Sequence, residues 1–210
     1  MSAFHTKSVQ LQERIRQALR SGHYLPGDRI DPATLAAEFD TSAMPVRLAL
    51  ERLVGEGILE HHARGGAYLP LPVEIELRDT YDWMQRLLLM ACDVGVVGRI
   101  PGGLRQPEIA SNDDDLAEAT WQLFDAIADA TLHTRLSKAV RRTNDQLAPI
   151  RKAKRGLVED EVEELAALQR HWRTRDLPRL RVALHDYHER RKQLVPCITV
   201  TLKRRREHRH

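Results

Sequence analysis

The sequence predicts a mainly α-helical protein with one small β-hairpin in its amino-terminal third. Only 5% of its 210 residues are aromatic, whereas 42% are hydrophobic and 30% are charged. This composition, in which leucine, alanine, arginine and glutamate are frequent, favours helices packed through aliphatic side chains over a β-sandwich. Apolar residues also recur every three or four positions along most of the chain, which is the spacing of amphipathic helices.

Three helices are predicted at the amino terminus. The first carries apolar residues at helical spacing and ends near Gly22. The second begins at Pro32, whose fixed φ and missing N–H suit the first helical position, and Asp31 precedes it as a cap. The third follows Thr41 or Ser42, either of which can cap it.

After the third helix the spacing of apolar residues changes to that of short strands. The runs 58–61 and 67–69 flank Arg64, Gly65 and Gly66, which suits a hairpin with a glycine tip. Two short helices followed by such a hairpin form a winged helix-turn-helix, a module that reads DNA.

Arg47 is the first candidate for base contact in this module. It lies near the start of the third helix, on the side opposite the apolar stripe of Val46, Leu50 and Leu53, so its guanidinium is free to enter a major groove. Taken alone, Arg47 is equally consistent with an ion pair to Glu51 four residues later. Residues 1–72 carry eight lysines or arginines and eight acidic residues. Any electrostatic attraction of this region to DNA must therefore come from the positions of its cations and not from its net charge.

The motifs GHYLPG, LAAEF, SAMPVRLAL, LVGEG and RGG occur in this order over roughly residues 8–70. Together they resemble the GntR family of bacterial transcription regulators. The resemblance implies that Ser42 and Arg47 contact DNA and that Arg64 and Gly65 in the wing approach the minor groove.

Two further positions belong to the predicted DNA-contacting set. Thr41 precedes the third helix, and Met44 occupies a groove-facing position from which it can touch a thymine methyl group. The family usually has an arginine where this chain has Ala43. The absence of that arginine implies a different operator or a lower affinity.

A joint is predicted at 69–72, where LPLP forces an extended backbone. We therefore expect a DNA-binding domain over 1–70, an all-α bundle over 73–203, and a disordered basic tail over 204–210. The bundle begins with a long helix on which Arg78 and Asp82, four residues apart, are predicted to form an ion pair. Further helices are predicted at about 113–130, 133–154, 157–174 and 177–202, after a Gly- and Pro-rich loop at 98–112.

The segment ELRDTYDWMQRLLLMACD resembles the opening of the FCD ligand-binding domain, the effector domain of the FadR-type branch of the GntR family. The resemblance implies a small carboxylate effector, for which Arg78 and Arg86 are the candidate cations.

Most FCD domains bind a metal through an aspartate and histidines. Here at most one ligand of that set survives, because the positions fall on Thr120 and Phe124, or Trp121 and Asp125 with a one-residue slip, then Glu164 and Leu165, then Tyr187 or His188. We therefore expect no metal or other cofactor. A non-standard ligand set drawn from Asp129, His133, His171, His185 and His188 is left open.

These patterns predict a homodimeric transcription regulator, a repressor on a near-palindromic operator that a small organic acid releases. One alternative is a regulator whose body only dimerises. Another is a helical metal-binding protein or enzyme with a winged-helix interaction module, but no nucleophile with its base, phosphate loop or paired catalytic carboxylates is apparent. Two distant cysteines, the lack of a long apolar run and the lack of a signal peptide favour the cytoplasm.

Overall fold

The structure is a computed structural model that describes residues 2–63, 66–95, 113–154 and 156–208, with only the backbone described for 2–8 and 113–115. Within these ranges it has eight α-helices and one small antiparallel sheet, which confirms the predicted fold class. None of the described helices is both long and apolar enough to cross a bilayer.

The amino-terminal elements follow the predicted order. They are α1 (Ser2–Arg20), β1 (Arg29–Ile30), α2 (Pro32–Glu38), α3 (Ala43–Gly55), β2 (Glu60–His61) and β3 (Ala67–Tyr68). Asp31 caps α2 as expected, because its carboxylate accepts hydrogen bonds from the backbone N–H groups of Ala33 and Thr34, both at 3.0 Å. These bonds are the main reason that the pKa of Asp31 is lowered.

The sheet has one strand more than the sequence predicts. β3 lies between β1 and β2, with Arg29 paired to Tyr68 and Glu60 also paired to Tyr68. β1 is two residues long, too short to show an alternating pattern, and it exists because β3 supplies its hydrogen-bonding partner. A separate apolar cluster from α1, α2, α3 and the sheet lies beneath these elements, with Ile15, Leu35 and Leu53 fully buried.

The remaining helices form a bundle. They are α4 (Glu74–Val94), α5 (Asp113–Asp129), α6 (Thr134–Ala153), α7 (Glu161–Arg173) and α8 (Leu177–Glu207). α4 packs along α8 and α5 along α6, and the core between them includes Leu88, Phe124, Leu147 and Leu184. The boundaries of the two predicted domains stay a prediction, although each has its own apolar cluster.

Three details of the bundle differ from expectation. α7 begins at Glu161 because Gly156 and Asp160 adopt left-handed φ values of 75° and 58°. The predicted Arg78–Asp82 pair is wrong, since Asp82 instead binds Arg86 Nε at 2.6 Å. This pair has the favoured orientation, because the acid precedes its cation by four residues in the helix.

The third difference is at residues 204–207, which are helical where a disordered tail was predicted over 204–210. α8 continues to Glu207, and three arginines occupy its last turn, where positive charge interacts favourably with the helix dipole. The side chain of Arg206 lies against Gly27 in the turn that precedes β1.

Charged residues join the amino-terminal elements to the bundle. Arg16 of α1 bonds Asp145 of α6 through Nη1 at 2.6 Å and also bonds Glu56, which ends α3. Gln146 donates to the carbonyl oxygen of Gly57 at 2.8 Å. α6 therefore contacts both the start of the chain and the end of α3.

Candidate nucleic-acid interface and the cavity of the bundle

The exposed stripe of α3 is the surface on which the predicted base contacts lie. The helix buries Val46, Ala49, Leu50 and Leu53 on one side. Met44 and Arg47 are exposed on the other, together with Leu48 and Glu51. The spacing of these four residues is i, i+3, i+4 and i+7, so they share one face. The structure thus brings two of the predicted contacts together.

Thr41 and Ser42 are exposed at the amino-terminal end of α3. Ser42 occupies the N-cap position, but its side chain makes no capping hydrogen bond, so the prediction that a hydroxyl caps this helix is wrong. The Ser42 hydroxyl is consequently not committed to its own helix and can bind an external group.

Arg47 faces a groove between α3 and the sheet. The groove has a volume of about 310 Å³ and is also lined by Arg29, Asp31 and Gly66. Among the described residues Arg47 forms no ion pair, and Glu51 instead lies 3.6 Å from His61 Nε2. The structure therefore does not have the alternative Arg47–Glu51 ion pair. Arg29, a second cation of this groove, was not identified from the sequence.

The tip of the wing lies outside the described residues, so the predicted contacts Arg64 and Gly65 have no structural account. The adjoining Gly66 has a φ of 81°, and a Cβ there would be 2.8 Å from the carbonyl oxygen of Ile30. Only glycine fits this position without strain.

The two predicted effector cations, Arg78 and Arg86, are not among the described residues that line the cavity of the bundle. Both are exposed on α4, and Arg86 is bonded to Asp82. Inside the bundle, however, a small cavity is lined by three other cations: Arg151 of α6, Lys154 at the end of that helix and Arg191 of α8. All three are at most 5% exposed.

These cations are only partly neutralised. Lys154 and Arg191 both bind Glu161, and Arg191 also binds Glu164 at 2.7 Å. Arg151 donates to Asn144 Oδ1 at 2.8 Å, but its Nε and Nη2 are buried without a partner in the described structure. Burial and the neighbouring arginines lower the pKa of Lys154 to about 8. The arrangement suits a small anion, because two nitrogens of a buried guanidinium are left unbonded.

The cavity has a volume of about 20 Å³, which is room for one or two waters or one carboxylate group. A larger ligand requires the lining side chains to move. Sequence reasoning missed these cations, although one signal was available: Arg151 and Lys154 follow Leu147 and Ile150 at helical spacing, which puts charge on a core-facing side.

The positions matched to the metal ligands of FCD domains do converge on this cavity. Thr120, Leu165 and Tyr187 line it, and Phe124 packs on Tyr187 and His188 with ring centroids 5.3 and 5.7 Å away. These residues do not fit a metal ion, because Phe124 and Leu165 lack a ligating atom and the neighbouring cations repel a metal ion.

The non-standard ligand set is not assembled either. Within the described ranges no three His, Cys, Asp or Glu side chains come close enough to hold a metal. Asp129 binds Arg141, His133 caps α6, His171 lies in the last turn of α7, and His185 contacts Gln85 at 2.8 Å. His188 is fully buried, and burial lowers its pKa to about 3.

A continuous series of hydrogen bonds joins the cavity to α3. Arg151 bonds Asn144, whose Nδ2 donates to the carbonyl oxygen of Trp121 at 2.8 Å. Trp121 Nε1 donates to Asp145 at 2.9 Å, and Asp145 accepts from Arg16, which reaches the end of α3 as described above.

Comparisons with known proteins agree with this architecture. Residues 7–69 match the family model described as bacterial regulatory proteins, gntR family. The structure is similar to that of E. coli McbR/YncC, with a TM-score of 0.69 and 19% identity over 90% of this chain and 96% of that one. It is also similar to a putative transcriptional regulator GntR from Rhodococcus sp. RHA1, with a TM-score of 0.71 and 14% identity over 90% and 97% of the chains. No curated protein sequence matches the chain significantly.

Proposed function

We propose that this chain is a DNA-binding transcription regulator of the GntR type and that it represses transcription as a homodimer on a near-palindromic operator. The match of residues 7–69 to the gntR family model supports the DNA-binding role. The observation that carries the proposal is the exposed face of α3, at whose centre Arg47 has no ion pair with any described residue. We further propose the cytoplasm as its compartment, because the operator DNA would be there.

The proposed DNA contacts divide into two groups. Met44 and Arg47 would face base edges in the major groove, where an arginine reads guanine through two hydrogen bonds. Thr41 and Ser42 at the start of α3 would bind phosphate oxygens. In the wing, Arg64 and Gly65 would approach the minor groove.

Dimerisation is proposed from the geometry of DNA reading. One recognition helix contacts only a few base pairs, whereas a two-fold pair reads two half-sites and multiplies the specificity. Exposed apolar side chains on the bundle support an interface there: Trp83, Met90 and Val94 lie on one face of α4 and are each at least 44% exposed.

The cavity of the bundle is the proposed effector site. A small carboxylate would neutralise the excess positive charge and accept hydrogen bonds from Nε and Nη2 of Arg151. Because Arg151 is bonded to Asn144, a ligand that draws it away would disturb the hydrogen bonds that lead to α3. This mechanism shifts the population of dimers away from the DNA-binding geometry.

Fluorescence anisotropy with a fluorescent duplex of the upstream region of its own gene tests DNA binding. Arg47→Ala is expected to weaken site-specific binding at least tenfold, whereas Arg173→Ala, which removes an exposed arginine of the bundle, leaves it unchanged. Equal loss in both variants would contradict a specific role for α3. If the wild-type chain selects no sequence from a pool of genomic fragments, the regulator function is wrong.

The effector site is tested by adding acetate, pyruvate, succinate and citrate to the protein–DNA complex. At least one should release the DNA from the wild-type chain and fail to do so with Arg151→Gln. If no carboxylate releases the wild-type chain or raises its melting temperature, the bundle serves dimerisation alone.

A further inference from the structure

We propose that Met44 and Leu48 read the C5-methyl groups of thymines in the major groove, so that the operator is specified in part by apolar contact. The inference rests on the proposed function and names the chemistry that α3 recognises. Leu48 was not among the contacts that the sequence predicts.

The two side chains form one apolar patch on the face of α3 that points away from the core. Met44 is 62% exposed and Leu48 is 53% exposed, and they are four residues apart, so they are neighbours on the helix surface. Arg47 lies beside both. An exposed apolar side chain beside an arginine that reads base edges loses its surrounding water when DNA covers it, and that loss is favourable.

The composition of this face favours methyl groups over hydrogen-bonding edges. Ala43, partly buried against the amino-terminal apolar cluster, offers no hydrogen bond at the start of α3, and Glu51 at the other end of the stripe lies near His61. Arg47 is the cation among the four residues of the stripe, and Arg52 is the next exposed cation of α3. In the major groove the C5-methyl of thymine is the apolar group that distinguishes one base pair from the others.

The same chemistry selects the class of nucleic acid. Uracil lacks the methyl group, and the deep, narrow major groove of A-form RNA does not admit a helix. The partner is therefore B-form DNA with thymines under α3 in each half-site.

The test replaces thymine by deoxyuridine, which removes the methyl group and leaves every hydrogen-bonding atom in place. The wild-type chain first selects its site from a duplex pool with 20 randomised base pairs. Duplexes of the selected site are then made with deoxyuridine at one thymine at a time, and their affinities are measured by anisotropy.

We expect one or more thymines in each half-site at which deoxyuridine weakens binding about fourfold, the effect of one buried methyl group. 5-Bromodeoxyuridine, whose bromine is close to a methyl group in size, should restore binding. In Met44→Ala or Leu48→Ala the difference in affinity between the thymine duplex and the deoxyuridine duplex should disappear. Val162→Ala, which trims an exposed apolar side chain of α7, should retain that difference.

Three other outcomes count against the inference. A selected site at which every deoxyuridine duplex binds within twofold of the parent overturns the methyl contacts and leaves DNA binding intact. An unchanged deoxyuridine effect in both α3 variants assigns the methyl contacts to other residues and also overturns the proposal. A pool from which nothing is selected overturns the proposed function itself.

Discussion

Two glycines near the DNA-binding face differ in what a methyl group would meet. At Gly66 a Cβ would press on the backbone of Ile30 at a left-handed φ, whereas at Gly55 it would meet nothing within 4 Å. Gly66→Ala should therefore lower the free energy of unfolding by about 2 kcal/mol. Gly55→Ala should raise it by about 0.5 kcal/mol, because alanine is the better helix former. Urea unfolding of both variants measures these two changes. Similar changes in the free energy of unfolding for Gly66→Ala and Gly55→Ala would contradict the described conformation of the wing.

His188 predicts a dependence of stability on pH. Its pKa is about 3 in the folded chain, against about 6.5 when unfolded, because burial disfavours the imidazolium. Between these values the unfolded state binds the extra proton, so stability falls as pH falls from 6.5 towards 3, by about 1.4 kcal/mol per pH unit. His188→Asn, whose amide can donate to the carbonyl of Leu184 in place of Nδ1, should remove that slope.

Urea unfolding at pH 7.5, 6 and 5 measures this slope. His61→Asn, which alters an exposed histidine of the wing, is the matched control and should retain the dependence of the parent chain. If the stability of His188→Asn depends on pH as steeply as that of the parent chain, another group binds the proton.

At the scale of elements, α6 is joined to α1 by the Arg16–Asp145 contact. Asp145 is buried, and its removal takes one acceptor away from each of Arg16, Arg20 and the indole of Trp121. Asp145→Ala should therefore lower the free energy of unfolding by about 3 kcal/mol. With Arg16→Ala added, the destabilisation should be smaller than the sum of the two single effects by at least about 1 kcal/mol. Additive effects would show that the contact does not couple the helices.

The elements could be predicted from the sequence wherever local pattern decides them. Asp31 and Pro32 mark the start of α2, and apolar spacing marks the body of each helix. Contacts between distant segments could not be predicted. β1 depends on a strand 38 positions later, and the charged cavity depends on Arg151 and Arg191, which only the packing of α6 on α8 brings together. Arg78 and Arg86 were chosen from one helix, which cannot show which face meets a cavity.

At the scale of the whole molecule, the basic end of α8 lies beside a DNA-binding region whose residues 1–72 carry no net charge. Lys203, Arg204 and Arg205 therefore can supply the phosphate contacts that the region lacks. Replacing these three with alanine should reduce the slope of log affinity against log salt by about 0.9 for each phosphate that the variant no longer binds.

Anisotropy titrations from 50 to 200 mM salt measure that slope. The matched control removes two exposed cations of α6, Arg135 and Lys138, and should leave the slope unchanged. An unchanged slope in the α8 variant would place this end of the helix away from the DNA.

The hydrogen bonds from Arg151 to the end of α3 also have a consequence for how the response to a ligand depends on the number of operator copies. Thermodynamic linkage is reciprocal, so a cavity ligand that weakens operator binding by some factor is itself held more weakly, by the same factor, when the operator is occupied. Under the proposed function, each operator copy therefore acts as a competitor of the ligand. Extra operator copies on a plasmid should shift the ligand concentration needed for half-maximal release upwards, without any change in the protein.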